Sequence, residues 1–249
     1  ITPFNFTAIG GNLASAPLIF GNSVLWKPSD NAILSNHLFY EIMLEAGLPE
    51  GVLNFCPNNP STFLVNVLNR KDLAAILFTG SSKVMDNITQ NVGNRITQYN
   101  NYPRIVGETG GKNFHFIGPY DNFNSSVLDG IVTKTIESSF NYSGQKCSAC
   151  SIVYVPENIY SQFIEKFKEK LELYKSTIQN YGVINSKSFD KLSNLIDELK
   201  KDDEIEFIIN GNINKDTSYS VEPHLLKCEN HNHKVFNEEF FGPILAIFP

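Results

Sequence analysis

Between residues 23 and 82 short apolar runs alternate with segments of helical periodicity, and that rhythm constrains the fold more than any other feature of the chain. Parallel strands cannot be joined by tight turns, so a strand, a crossover helix and another strand must follow one another. Ser23-Val24-Leu25-Trp26 reads as a strand. Asp30 then offers an N-cap, and Ile33, Leu34, His37, Leu38, Ile42 and Ala46 recur at helical spacing until Gly47-Leu48-Pro49 stops the helix. Val52 to Phe55 is a second strand, Phe63 to Leu68 a short helix, and Leu73 to Phe78 a buried third strand running straight into Thr79-Gly80-Ser81-Ser82. A strand-glycine-helix junction of this kind is where open α/β sheets bind phosphates, because free backbone N–H groups point out of the helix start.

After residue 110 the rhythm changes. Strands are expected at Asn113 to Ile117, Ser151 to Val155, Glu206 to Ile209 and Ile244 to Phe248. Helices are expected at Val127 to Phe140, Ile159 to Tyr174 and Phe189 to Leu199. The glycine cluster at Gly107, Gly110 and Gly111 marks the best boundary between two α/β domains, residues 1–109 and 110–249. The 249 residues are 42% hydrophobic and 18% charged, an ordinary globular composition. No apolar run reaches the ~18 residues of a membrane helix. A net charge of -6 leaves no nucleic-acid footprint. Four cysteines are too few and too scattered for a disulfide framework, which points to a reducing compartment. The chain opens on Ile1, and its last apolar run halts at Pro249, so it reads as the middle of something longer, with exposed apolar edges at Ile1 and Phe248.

Cys147 lies in Gly144-Gln145-Lys146-Cys147-Ser148-Ala149-Cys150, between a helix and a strand. A cysteine in a glycine-containing turn beside a lysine has the setting in which a thiolate becomes accessible and its pKa falls. The bland alternative is a buried small hydrophobe. Cys147 and Cys150 also match C-x-x-C, but Cys56, Cys228, His231 and His233 show no matching pair spacing for zinc, so no metal is expected. Glu108 in Gly107-Glu108-Thr109-Gly110-Gly111-Lys112 is either a mobile general base or a solvated loop carboxylate. Asn5, between Phe4 and Phe6, can donate to an oxyanion or cap a helix. Lys27 closes a strand where a cation meets a ribose or phosphate, with Asp30 as a second ribose acceptor; otherwise they are a strand-end charge and a cap. Glu238-Glu239-Phe240-Phe241-Gly242-Pro243 is a ribose-binding carboxylate with an aromatic for the ring, or a turn before the last strand.

In order along the chain, Pro3-Phe4-Asn5-Phe6, Lys27-Pro28-Ser29-Asp30, Phe78-Thr79-Gly80-Ser81, Glu108-Thr109-Gly110-Gly111-Lys112, Gly144-Gln145-Lys146-Cys147 and Glu239-Phe240-Phe241-Gly242-Pro243 resemble the aldehyde dehydrogenase superfamily. Within it, the segments 3–11, 110–116 and 144–150 are similar to the branch that oxidises L-glutamate γ-semialdehyde in proline catabolism. The resemblance implies a partial Rossmann-type NAD-binding domain followed by most of an α/β catalytic domain. It implies Cys147 as nucleophile, Asn5 and the Cys147 N–H as oxyanion donors, and Glu108 as the base that activates water. Thr2, Lys27, Asp30, Gly80, Ser81, Ser82, Lys83, Val84, Glu239 and Phe241 would bind NAD. Ser148 would touch the substrate's carboxylate and Phe6 would line the aldehyde channel. It further implies a homo-oligomer in the mitochondrial matrix, or the cytoplasm if the source is bacterial. The first half of the cofactor fold, an oligomerisation hairpin and a C-terminal substrate loop lie outside these residues. Two departures stand out: position 85 is Met85 where many members have a second glycine, and residues 175–188 lack a Gly-Asp-Pro. Other readings are an aldehyde dehydrogenase for a different aldehyde, a silent dinucleotide-binding paralogue, or a C-x-x-C redox or zinc protein.

Overall fold

Apolar and β-branched runs become strands and the periodic segments between them become helices, as the local pattern dictates. The computed structural model describes residues 1–119, 124–177, 182–216 and 218–249. It divides into two compact units, Ile1–Gly110 and Gly111–Pro249. Part of the segment 175–188, residues 178–181, lies outside the described residues.

In the first unit helix α1 (Thr7–Ile19) is followed by β1 (Val24–Trp26), α2 (Ile33–Glu45), β2 (Leu53–Phe55), α3 (Pro60–Leu68), β3 (Ala75–Thr79), α4 (Ser82–Gly93) and β4 (Arg104–Glu108). β1 pairs in parallel with β2, and β3 with β4. Residues 1 and 2 lie against both pairs: the Thr2 N–H donates to the Lys27 carbonyl at 3.1 Å, and the Thr79 N–H donates to the Ile1 carbonyl at 3.2 Å. Two small cores result. Leu68, Ile76, Phe78, Ile88 and Val92 form one, with Ile1 packed against it. Ala14, Trp26 and Leu53 form the other, joined by Phe39 and Phe55, whose rings meet Trp26 edge-on.

Several expectations are corrected here. Asp30 does not cap α2. The Ser29 hydroxyl accepts the Asn31 N–H at the start of a 3-10 turn, and the Asp30 carboxylate turns to Lys27 instead. The helical spacing of Leu34, Leu38 and Ile42 is that of α2 as expected, and in this chain the three are 84%, 57% and 53% exposed. The opposite face, Asn36, Phe39, Tyr40 and Met43, is the one that packs. α1 approaches this face closely at Gly10 and Gly11, where an added Cβ would collide with Asn36 and Phe39. β3 is buried except at its start, with Ala75 exposed and Leu77 buried only in part. Glu108 is the last residue of β4, paired with Thr79, not a loop residue.

The second unit holds β5 (Asn113–Phe116), α5 (Ser125–Phe140), β6 (Cys150–Tyr154), α6 (Glu157–Thr177), α7 (Ser186–Leu199), β7 (Glu206–Ile209), β8 (Ile213–Asn214), β9 (Ser220–Val221), β10 (His224–Lys227), α8 (Lys234–Asn237) and β11 (Ile244–Phe248). The main sheet has the order β5-β6-β11-β10-β7 and is parallel except for β7. Successive side chains on a strand point to opposite faces. Val153, Leu225, Leu245 and Ile247 accordingly pack under α5 and α6, while Ile152, Leu226, Ile244 and Ala246 pack under α7 and α8. Neither expected edge is exposed: Ile1 is half-buried against the first unit's core, and Phe248 is partly buried with its ring 3.9 Å from that of His231.

Candidate active site

The residues proposed for chemistry fall in both units, and each set is built locally. After α5 the backbone of Tyr142, Ser143 and Gly144 turns left-handed, with φ of 56°, 56° and 66°. Only glycine takes this conformation without cost. At Gly144 a side chain is excluded twice over, because its Cβ would overlap the backbone carbonyl of Gly242. The Ala149 N–H then donates to the Lys146 carbonyl at 3.0 Å, closing a turn that carries Cys147 and Ser148. The Asn113 side-chain amide, at the start of β5, donates to the carbonyls of Cys147 at 2.5 Å and Ala149 at 3.2 Å. The turn is thus fixed at its backbone while Cys147 stays half-buried and Ser148 exposed. The two members of the C-x-x-C pair part company. Cys150 is buried on β6, its thiol donates to the Ile152 carbonyl at 3.1 Å, and burial pushes that thiol up. Cys150 is the small hydrophobe; Cys147 is the accessible thiol.

Beside this turn lies the segment from Glu238 to Pro243. Phe241 is itself left-handed, with φ of 58°. Lys191 Nζ donates to the Phe240 carbonyl at 3.1 Å, and Lys112 Nζ sits 4.4 Å from the centre of the Phe240 ring. Burial lowers the Lys112 ammonium to about 8, against the pull of Glu239 and Glu238. Burial raises the Glu239 carboxyl, opposed by the Gly111 N–H and by Lys191 and Lys112. Lys112, Lys146, Glu239 and Phe241 help line a cavity of about 20 Å³, room for one water. A desolvated cation and a desolvated carboxylate beside an accessible cysteine are a combination found at functional sites.

In the first unit Lys27 is 3% exposed, and its Nζ donates to the Pro28 carbonyl at 2.6 Å and to Asp30 Oδ1 at 2.7 Å. Thr2 is buried and its hydroxyl accepts the Trp26 indole N–H at 2.9 Å. β3 delivers Gly80 to the start of α4. The Gly80 N–H donates to the Glu108 carbonyl at 3.1 Å, which ties the junction to the end of β4. Ser81 precedes the helix without a side-chain cap, and Ser81, Ser82, Lys83 and Val84 are exposed, leaving the first N–H groups of α4 open to an anion. Met85 covers Gly107, where a Cβ would collide with its thioether, so the departure at position 85 is absorbed by a glycine in β4. Glu108 is exposed, Asn5 is half-buried and Phe6 is exposed just ahead of α1.

Among the described residues, Asp202, Glu204 and His233 offer ligand atoms within 4.8 Å of one another. Those atoms already have partners. His233 Nε2 faces Asp202 Oδ2 at 3.0 Å, its Nδ1 accepts the Val235 N–H to cap α8, and Asn230 donates to the Glu204 carboxylate. Asn113, Lys112 and the buried Gln145 carry much of this arrangement and were not singled out from the sequence. The one available signal was their position directly beside Gly110-Gly111 and Cys147.

A model of the aldehyde dehydrogenase family matches residues 1–249. The chain is 42% identical over 256 residues to the mitochondrial delta-1-pyrroline-5-carboxylate dehydrogenase of Emericella nidulans, covering all of this chain and 44% of that protein. It is 38% identical to the mitochondrial protein of the same name from Dictyostelium discoideum, covering all of this chain and 45% of that one. A crystal structure of delta-pyrroline-5-carboxylate dehydrogenase from Mycobacterium tuberculosis bound with NAD superposes with a TM-score of 0.87 at 32% identity, over 99% of this chain and 45% of that one. The chain therefore spans less than half the length of these relatives.

Proposed function

The chain belongs to the aldehyde dehydrogenase family, and from that premise we propose that the protein carrying it oxidises L-glutamate γ-semialdehyde (1-pyrroline-5-carboxylate) to L-glutamate with NAD, in proline catabolism. The observation that supports this best is the fixed, accessible Cys147 turn in a chain similar along its whole length to relatives of that name. Residues 1–109 are read as the later part of the NAD-binding domain and residues 110–249 as most of the catalytic domain. The donor set suits a dinucleotide: open N–H groups at the start of α4 for phosphate, and Lys27, Asp30 and Glu239 for ribose hydroxyls. Thr2, Gly80, Ser81, Ser82, Lys83, Val84 and Phe241 complete that set.

The Cys147 thiolate adds to the aldehyde carbon, forming the C–S bond of a thiohemiacetal. The Asn5 amide and the Cys147 N–H stabilise the oxygen as it gains charge. NAD, when bound, supplies the acceptor for the hydride, which no side chain can provide. Glu108 takes a proton from the water that cleaves the resulting thioester, and Cys147 leaves as the thiolate with which the cycle began. Ser148, exposed next to the nucleophile, holds the substrate's carboxylate, and Phe6 lines the aldehyde's path. The mitochondrial names of the relatives support a mitochondrial location, read here as the matrix, and the complete protein is read as a homo-oligomer. No described helix is long and apolar enough to cross a membrane.

In the complete protein, Cys147→Ser should abolish NAD-dependent oxidation of the semialdehyde while leaving NAD binding intact. Undiminished turnover would remove the assignment of the nucleophile. Equal kcat/KM for the semialdehyde and for simple aliphatic aldehydes would remove the substrate.

A further inference from the structure

We propose that Gln145 is a positioning residue that holds the Cys147 turn in register for attack, by clamping it to the segment 182–184. This rests on the reading of Cys147 as nucleophile. Gln145 is 7% exposed and its amide is used at both ends. Nε2 donates to the Tyr142 carbonyl at 3.2 Å, and Oε1 accepts the Ile184 N–H at 2.8 Å. The partners fix the orientation of the amide, because a flipped group would set oxygen against a carbonyl and NH2 against an N–H. The Tyr142 carbonyl also accepts the Gln145 backbone N–H at 3.1 Å, so Gln145 grips it twice.

What is gripped is the left-handed stretch 142–144, a conformation that Tyr142 and Ser143 would not hold unaided. What it is anchored to is itself paired to the backbone of residues 219 and 220. Val183 donates its N–H to the Tyr219 carbonyl at 3.1 Å, and Gly182 bridges to Ser220 of β9. A second tether runs the same way, from the Ser143 hydroxyl to the Gly182 carbonyl at 3.3 Å. Cys147 lies two residues beyond the clamp. A misplacement of about 1 Å in a reacting atom costs on the order of 100-fold in rate. An amide that pins this turn therefore acts on the chemical step without touching substrate.

The test uses the complete protein. Gln145→Ala should lower kcat by about 10- to 100-fold, with KM for NAD little changed and some stability lost, because the Ile184 N–H is left without its acceptor. Gln145→Glu keeps the acceptor for Ile184 but, when ionised, turns a second oxygen on the Tyr142 carbonyl; when protonated it regains the donor. Its kcat relative to the parent protein should rise as the pH is lowered from about 8 to about 6, a signature that lost packing would not give. A Gln145→Ala protein with kcat within twofold of the parent, or a pH-independent ratio for Gln145→Glu, would overturn the proposal. If Gln145→Ala does not fold, the Gln145→Glu ratio decides alone. Cys147→Ser serves as the reference: turnover without that thiol defeats the proposed nucleophile, whereas loss of turnover there with a flat Gln145→Glu ratio defeats only the clamp.

Discussion

Replacing Gly144 with alanine tests whether the Cys147 turn and the Glu239 segment are locked by backbone contact. Two costs can be separated. Gly144 has φ of +66°, where alanine pays about 1–2 kcal/mol for the left-handed backbone. Its added Cβ would also strike the Gly242 carbonyl and approach Pro243 N at 3.0 Å. These are backbone atoms and cannot swing aside, so overpacking adds about 1–3 kcal/mol. Two other glycines calibrate the sum. Gly21, at φ of +76° with nothing within 4 Å of its Cβ position, isolates the conformational part, and Gly118, with nothing within 4 Å, has neither cost. In urea unfolding of the complete protein, Gly118→Ala should be nearly neutral and Gly21→Ala should lose about 1–2 kcal/mol. Gly144→Ala should lose about 2–5 kcal/mol, the sum of both costs. Its kcat should fall as well, since either the Cys147 turn or the Glu239 segment has to move. Equal losses for Gly144→Ala and Gly21→Ala would refute the lock.

Further outcomes follow from the same packing. His224 is fully buried on β10, and burial lowers its ring to about 4. Its folded pKa lies below the unfolded 6.5, so the unfolded chain binds the extra proton between those values. Stability should therefore fall as pH drops from 6.5 toward 4, by up to about 3 kcal/mol, and His224→Gln should flatten that dependence in pH-resolved melting. Asn113→Ala removes both side-chain bonds to the Cys147 turn. Steady-state kinetics should show kcat down by about 10-fold or more, from roughly 1–3 kcal/mol of unmade hydrogen bonding, with NAD binding by fluorescence titration unchanged. Lys112→Met leaves the Phe240 contact apolar but removes a cation beside Glu239, and KM for NAD should rise several-fold while stability holds.

The sequence carried the strand and helix periods well because they are local properties. Val24 to Trp26, Ala75 to Thr79 and the long α6 need only their own side chains to be recognised. Which face of α2 packs is not legible locally, because the room for Asn36 and Phe39 is made by Gly10 and Gly11 of another helix. α1 itself, with two glycines and Pro17, has weak intrinsic propensity and is held by tertiary packing. β10, four residues between Pro223 and Cys228, is legible only as the partner of β11 and β7. The same division runs through the candidate site. Cys147, Glu108 and Glu239 announce themselves by residue type and neighbouring glycines. Asn113 and Gln145 act through bonds to residues 34 to 39 positions away, which no local window displays.

The most direct measurement traps the covalent intermediate. The Glu108→Gln variant of the complete protein, mixed with NAD and L-glutamate γ-semialdehyde, should form the thioester but hydrolyse it slowly. Peptide mass spectrometry after an acid quench should find a glutamyl group on the peptide containing Cys147, and none in the Cys147→Ser variant. A glutamyl group on a different residue, or steady NADH production with no acylated Cys147 at any time, would contradict the account.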